Sequence, residues 1–155
     1  MDYETLFHRQ GRAMDDLLMA AFPVEEERFT APGPGGAPSL RDLFLAWLEE
    51  QRRLVAALTG TPWRPLPPEQ CPTVQPIAQI FGGSRLSLRE HLEGLGEEGM
   101  ARAVSWADPD GTPREATVDE ILVHLALHAA GMHALLRERL RRLGADLPPG
   151  PPLLP

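Results

Sequence analysis

Residues 117–143, TVDEILVHLALHAAGMHALLRERLRRL, decide the fold of this chain. Thr117 and Glu120 have the spacing of a capping box, in which each side chain bonds the backbone N–H of the other residue, so a helix is predicted to begin here. Apolar residues then recur at helical spacing and predict one buried face. Arginines fill the last turns, where positive charge is favourable, and Gly144 ends the helix. The residues predicted to point inward are Ile121, Leu125, His128, Met132, Leu135 and Leu136.

Three further stretches show the same spacing and predict helices over residues 3–21, 39–60 and 73–95. The second helix begins with a relative of the capping box at Ser39 and Asp42. In the third, the pair Gly82-Gly83 favours a break, but the apolar stripe keeps its phase across the pair. We therefore expect one continuous helix that is kinked at the pair. The chain is therefore predicted to be all-α, a four-helix bundle in a single domain over residues 1–155.

The connections between these helices bear on their order. A 12-residue, proline-rich connection at 61–72 reaches roughly 40 Å, enough to run back along a helix about 30 Å long. Helices two and three are then parallel, and up-down-up-down with short loops is the competing order. Before helix four, residues 101–106 and 113–116 are predicted to pair as a short β-hairpin. Residues 146–155 form a proline-rich tail that is expected to lie extended on the surface.

The composition limits the classes of function. The 155 residues carry a net charge of −7, which disfavours nucleic acid as a partner because phosphate binding needs a basic surface. No apolar run is long enough to span a membrane, and with one cysteine and no signal-like start we expect a cytoplasmic protein. All 15 basic residues are arginine and the chain has no asparagine, which fits either heat adaptation or a GC-rich genome.

Six polar residues interrupt the apolar stripes of the predicted helices. A polar group buried without a partner costs roughly 1–3 kcal/mol, so several of them on facing helices indicate a shared network or a wet pocket. His124 and His128 lie four residues apart, and with His91 on an antiparallel helix three they are candidates for a metal site; simple packing or hydrogen bonding is the alternative. The six residues are Gln10, Gln51, Ser84, His91, His124 and His128.

Cys71 is a weaker candidate for chemistry. It precedes the predicted start of helix three, where the helix dipole could lower its pKa and make the thiol reactive. The alternative interpretation is an incidental, half-buried thiol.

Several short stretches match the pattern of a known family. They are Asp110-Gly111, Ile121-Leu122-Val123-His124, His128, Leu140-Arg141-Arg142-Leu143-Gly144, and Ser39-Leu40-Arg41-Asp42-Leu43. On these residues the chain resembles the DinB/YfiT-like superfamily, whose characterised members bind a divalent metal. The resemblance covers nearly the whole chain and is strongest over residues 101–149. It implies a four-helix bundle in up-down-down-up order, with a long crossover between helices two and three, thiol-dependent transferase chemistry in some relatives, and a dimer in many.

The resemblance also implies a metal held by three histidines, one on helix two and two on helix four, the latter four residues apart and followed by arginine. In this chain Trp47 stands at the helix-two position, His128 and Met132 at the helix-four positions, and His133 at the arginine position. Indole and thioether groups do not replace imidazole on zinc or nickel. One of the three expected ligands therefore remains.

Three functions follow as hypotheses. In the first, the bundle has lost the metal site, needs no cofactor, and binds a small molecule or acts as a scaffold, with a homodimer as a candidate assembly. In the second, zinc or nickel is held by His128 and His124, completed by Gln51, Glu50 or His91, and supports thiol transferase or hydrolase chemistry. In the third, an exposed helix face docks another protein. The residues predicted to line the pocket are Gln10, Trp47, Gln51, His124, His128 and Met132.

Overall fold

The computed structural model describes residues 2–150, which are mostly helical and include one small antiparallel sheet. No helix in this part of the chain is both long enough and apolar enough to cross a membrane. The elements, in chain order, are α1 (Tyr3–Ala21), α2 (Glu26–Thr30), α3 (Leu40–Thr59), α4 (Val74–Leu92), α5 (Glu97–Ala101), β1 (Ala103–Ala107), β2 (Pro113–Thr117) and α6 (Val118–Arg142).

The long helices α1, α3, α4 and α6 correspond to the four predicted from apolar spacing. The glycine pair lies within α4 without ending it, and neither Gly82 nor Gly83 has a positive φ. The hairpin is present before α6, although its first strand begins two residues later than predicted, at Ala103. The short helices α2 and α5 were not predicted, because five residues are too few to show a helical stripe.

Capping boxes fix the start of two of the long helices. Ser39 Oγ accepts a hydrogen bond from the backbone N–H of Asp42 at 3.0 Å, and the Asp42 carboxylate accepts one from the Ser39 N–H at 3.2 Å. At the start of α6, Thr117 Oγ1 accepts from the Glu120 N–H at 3.2 Å, and the Glu120 carboxylate accepts from the Thr117 N–H at 2.7 Å. Local sequence therefore determines where α3 and α6 begin.

The core consists of two apolar clusters, and every long helix contributes to both. The first cluster contains the C-terminal halves of α1 and α6 and the N-terminal halves of α3 and α4. The second contains the opposite halves of the same helices together with Val104 of β1. Between them lies a middle layer, in which polar residues interrupt the apolar positions. The middle layer consists of Gln10, Gln51, Ser84 and His128.

Side chains connect neighbouring helices at successive levels along the bundle. Helix α1 contacts α6, α3 contacts both α4 and α6, and α4 contacts α1. The contacts are Tyr3–Asp119 and Gln10–Ala126 between α1 and α6, Trp47–Phe81 and Gln51–Ser84 between α3 and α4, Ala46–His128 and Glu50–His124 between α3 and α6, and Asp15–Arg85 between α1 and α4.

The proline-rich connection from α3 to α4 is held against α3. The Glu49 carboxylate accepts a hydrogen bond from the Leu66 N–H at 3.0 Å and forms an ion pair with Arg52. Arg52 in turn donates to the backbone carbonyl of Arg64 at 3.3 Å. Cys71, at the end of the connection, is fully buried in the first cluster. The connection between α3 and α4 is thus packed on the bundle at several points.

One residue of α6 that was predicted to be buried is exposed, and the predicted tail is described only in part. Leu135 was predicted to point inward, but its side chain is 55% exposed. Its neighbour Leu136, which was also predicted to point inward, is fully buried, and one residue turns the helix by about 100°, so the two side chains face different directions. In the tail, Leu147 packs against the first cluster. Residues 151–155 of the predicted tail lie outside the described residues.

Replacing Gly83 by alanine should raise the free energy of unfolding by roughly 0.5–1 kcal/mol. Gly83 lies inside α4, and a Cβ added there would meet open space. Urea denaturation followed by circular dichroism measures the change. Gly60→Ala is the matched control of opposite sign, because Gly60 ends α3 with a φ of 67° that strains alanine. A loss of stability in Gly83→Ala would mean that α4 is broken at the glycine pair.

Candidate functional site

A cavity of about 750 Å³ lies at the level of the middle layer. Its walls come mainly from α1 and α4, and its floor comes from residues of α3 and α6. Trp47 of α3 and Phe81 of α4 meet edge to face there, with ring centroids 5.9 Å apart. The volume is in the range of sites that bind small organic molecules.

The residues predicted to line a pocket divide into two groups. His124 and Met132 do not border the cavity: the His124 side chain is 55% exposed beside Glu50, and Met132 is buried in the first cluster. Whether a ligand occupies the cavity stays a prediction. The four that do border it are Gln10, Trp47, Gln51 and His128.

Two glutamines form hydrogen bonds between helices that border the cavity. The Gln10 side-chain amide is buried and donates to the backbone carbonyl of Ala126 on α6 at 3.0 Å. The Gln51 amide donates to Ser84 Oγ on α4 at 3.2 Å. Both bonds cross between helices, so they fix the relative positions of helices as well as satisfying polar groups in the interior.

Arg85 crosses the gap between α4 and α1 at the edge of the cavity. Its Nη1 donates to Asp15 Oδ1 at 2.6 Å, and its side chain is 35% exposed. The guanidinium carbon lies only 2.9 Å from where a Cβ on Gly11 would be, so it rests on the bare backbone of α1. Sequence reasoning missed this residue, because nothing in the spacing shows that α1 and α4 are neighbours.

The histidine pair of α6 has its own partners. The rings of His124 and His128 stack with their centroids 6.1 Å apart and nearly parallel. His124 Nε2 lies 2.8 Å from Glu50 Oε1, and His128 Nε2 lies 3.3 Å from the backbone carbonyl of Ala46. Burial would raise the pKa of Glu50, but hydrogen bonds from Arg53 and His124 outweigh it and hold the pKa below its usual value. The carboxylate is therefore ionised and already paired at neutral pH.

The three positions that the family resemblance assigns to a metal do not fit one in this chain. Trp47 and Met132 are 3% and 8% exposed, packed among apolar side chains, and offer an indole and a thioether. His128 supplies one imidazole, and its Nε2 is within hydrogen-bond distance of a carbonyl oxygen. Zinc and nickel sites need several imidazole, thiolate or carboxylate donors. Across residues 2–150, no three His, Cys, Asp or Glu side chains are grouped so that they could hold a metal ion.

His91 and His133 do not complete such a group either. Burial, followed by the charge of Arg102, lowers the pKa of His91, whose Nε2 is buried without a hydrogen-bond partner in the described structure. His133 is 7% exposed, and burial and the charge of Arg137 lower its pKa as well. Both imidazoles are thus favoured in the neutral form by their surroundings.

Cys71 lies in surroundings that suppress its reactivity. Burial raises the pKa of the thiol, and the nearby positive charges of Arg41 and Arg52 do not reverse this. The side chain is fully buried. The structure therefore favours the interpretation of Cys71 as a packing residue.

Cys71 should react with a disulfide reagent such as dithionitrobenzoate on the order of 100-fold more slowly in the native protein at pH 8 than in guanidinium chloride. The reason is that reaction requires the thiolate, and both exposure of Cys71 and its ionisation require opening of the core. The rate with free glutathione calibrates the reagent in each solvent. A native rate equal to the denatured rate would restore the hypothesis of a dipole-activated thiol.

Comparisons with known proteins bear on the fold alone. No protein-family model and no curated protein matches the chain. Among solved structures, the crystal structure of a DinB-like protein from Bacillus cereus ATCC 10987 superposes with a TM-score of 0.71. The sequences are 14% identical, and the match covers 95% of this chain and 94% of the other. The fold of this protein is therefore DinB-like, as the resemblance of its sequence implied.

Proposed function

We propose that this protein binds a small organic molecule in the cavity between α1 and α4. The observation that carries this proposal is the cavity itself, about 750 Å³ in volume, with Trp47 on its floor and Phe81 on the adjoining α4 wall. Binding sites of this kind combine apolar walls with a few polar groups that orient the ligand. Gln51 and His128 supply polar groups at the cavity floor.

The proposal includes a single domain with up-down-down-up order. Contacts advance in the same direction along α1 and α6, from Tyr3–Asp119 to Gln10–Ala126, which supports parallel helices. Contacts between α3 and α4 likewise advance together, whereas those between α3 and α6 run in opposite directions. This order makes the connection between α3 and α4 a crossover along the bundle and leaves the cavity between the first and third long helices.

The proposal also holds that this bundle does not use the three-histidine metal site implied by the resemblance. Trp47 and Met132 would fill the volume of two ligands, and their side chains are poor donors to zinc or nickel. In the alternative site one turn along the helix, a metal would replace the contact between His124 and Glu50 and the contact between His128 and the Ala46 carbonyl. A homodimer stays a prediction; the exposed Leu127 would be covered in such a contact on α6.

Protein purified without a histidine tag should contain well under one equivalent of zinc, nickel or manganese per chain, and His128→Ala should leave that content unchanged. The reason is that the side chains at the implied positions provide one imidazole, which is too few donors for tight binding. Elemental analysis by inductively coupled plasma mass spectrometry measures the content after dialysis against each metal. Stoichiometric metal in the wild type that disappears in His128→Ala would establish a relocated site and contradict this part of the proposal.

The neutral fluorophore N-phenyl-1-naphthylamine should bind the wild-type protein, and Gly82→Leu should weaken that binding about tenfold, which corresponds to roughly 1.4 kcal/mol. Gly82 borders the cavity, and a side chain there has room to extend into it. Fluorescence titration measures the dissociation constants.

The matched control is Gly83→Leu, because Gly83 is the next residue of α4 and does not border the cavity. It introduces the same side chain with the same change in helix propensity. Equal weakening by the two variants, or no saturable binding to the wild type, would contradict the proposed cavity site.

A further inference from the structure

We infer that the ligand of the cavity is an amphipathic organic anion, and that Arg85 binds its charged group. This inference rests on the proposed function and adds the chemical class of the ligand. Its basis is the position of one guanidinium at the junction of a charged rim and an apolar wall.

The placement of Arg85 is the first argument. On α4, Phe81 precedes Arg85 by four residues and Leu88 follows it by three, so the three share one helix face. All three border the cavity. A ligand whose apolar body rests against Phe81 and Leu88 therefore brings its charged end to the guanidinium. Gly11 leaves space for that guanidinium on the α1 backbone, 2.9 Å from the site of a Cβ.

The chemistry of the guanidinium is the second argument. It has five N–H donors in a planar fork that matches the oxygens of carboxylates and sulfonates. Asp15 accepts from Nη1 at 2.6 Å, so this bond leaves most of the fork for a ligand. The Arg85 and Asp15 side chains are 35% and 53% exposed, and an ion pair of that exposure is weak, because solvent competes for both charges. An incoming anion can therefore share the guanidinium with Asp15 or replace it.

The third argument is that the other charged side chains at the cavity are more exposed than Arg85. Arg89 lies 3.9 Å from Glu93, and these two side chains are 68% and 65% exposed. Glu4 is also exposed. Solvent screens such groups strongly, so they contribute little to a ligand in the cavity. Among the charged side chains that border the cavity in residues 2–150, Arg85 is the one that is half-buried.

Two fluorophores with the same phenylnaphthylamine body test this inference. 8-Anilinonaphthalene-1-sulfonate carries a sulfonate, and N-phenyl-1-naphthylamine carries none. Arg85→Met should weaken binding of the sulfonate about tenfold and change binding of the neutral compound less than about twofold. Asp15→Asn should strengthen binding of the sulfonate about threefold, because it removes the competing carboxylate. Fluorescence titration at low and high salt measures all dissociation constants.

Arg12→Met is the matched control, since Arg12 is an exposed arginine of α1 that does not border the cavity. It should leave both dissociation constants unchanged. Gly82→Leu should weaken both compounds, which assigns their binding to the cavity. Thermal melts followed by circular dichroism verify that each variant is folded. Asp15→Asn changes the contact between Arg85 and Asp15 while the guanidinium of Arg85 stays in place.

The outcomes separate the two proposals. If neither fluorophore binds the wild type, the proposed function fails. If both bind but Arg85→Met weakens them equally, or Asp15→Asn weakens the sulfonate, the cavity site stands and the anion inference is overturned. Selective loss of the sulfonate in Arg85→Met, with selective gain in Asp15→Asn, supports the inference.

Discussion

The hydrogen bonds of the middle layer are the constraint on which the arrangement of the helices depends. Gln10 and Gln51 each place an amide among apolar side chains, where an unmet hydrogen bond costs roughly 1–3 kcal/mol. Gln10 meets this demand at the Ala126 carbonyl of α6, and Gln51 meets it at Ser84 of α4. Apolar packing is less directional than a hydrogen bond, which forms only when its donor and acceptor are aligned. These two bonds fix the level at which the helices meet, and with it the position of the cavity.

Local signals in the sequence were sufficient for the helices and their starts. The capping boxes at Ser39 and Thr117 are complete within four residues, and apolar spacing depends only on the geometry of one helix. The DinB-like fold was also predictable from the sequence. The length of the connection left the order of the bundle open between two arrangements, because 12 residues are enough for a crossover without requiring one. The up-down-down-up order was predicted from the family resemblance and stays a prediction.

The cavity was only partly predictable, for a physical reason. A polar residue in an apolar stripe identifies a position in the interior, and Gln10 and Gln51 were found in this way. Arg85 belongs to the polar edge of α4, where an arginine is expected, and its role depends on Gly11 in a helix that is distant in sequence. The prediction that His124 lines the pocket failed for a related reason: a side chain at the edge of an apolar stripe can face either the interior or the solvent. Here His124 Nε2 lies 2.8 Å from Glu50 Oε1 on α3, and the ring does not border the cavity.

The cavity also has a mechanical consequence for the bundle. At the level of the cavity, empty volume separates parts of α1 and α4, and the Arg85–Asp15 ion pair beside Gly11 connects the two helices. A seam that contains a cavity gains less dispersion energy than a packed one, so separating α1 from α4 at this level costs less than it would without the cavity. The two apolar clusters above and below act as fixed ends. If the proposed ligand enters between α1 and α4, the middles of these two helices are the part that must separate, while both ends of the bundle stay packed.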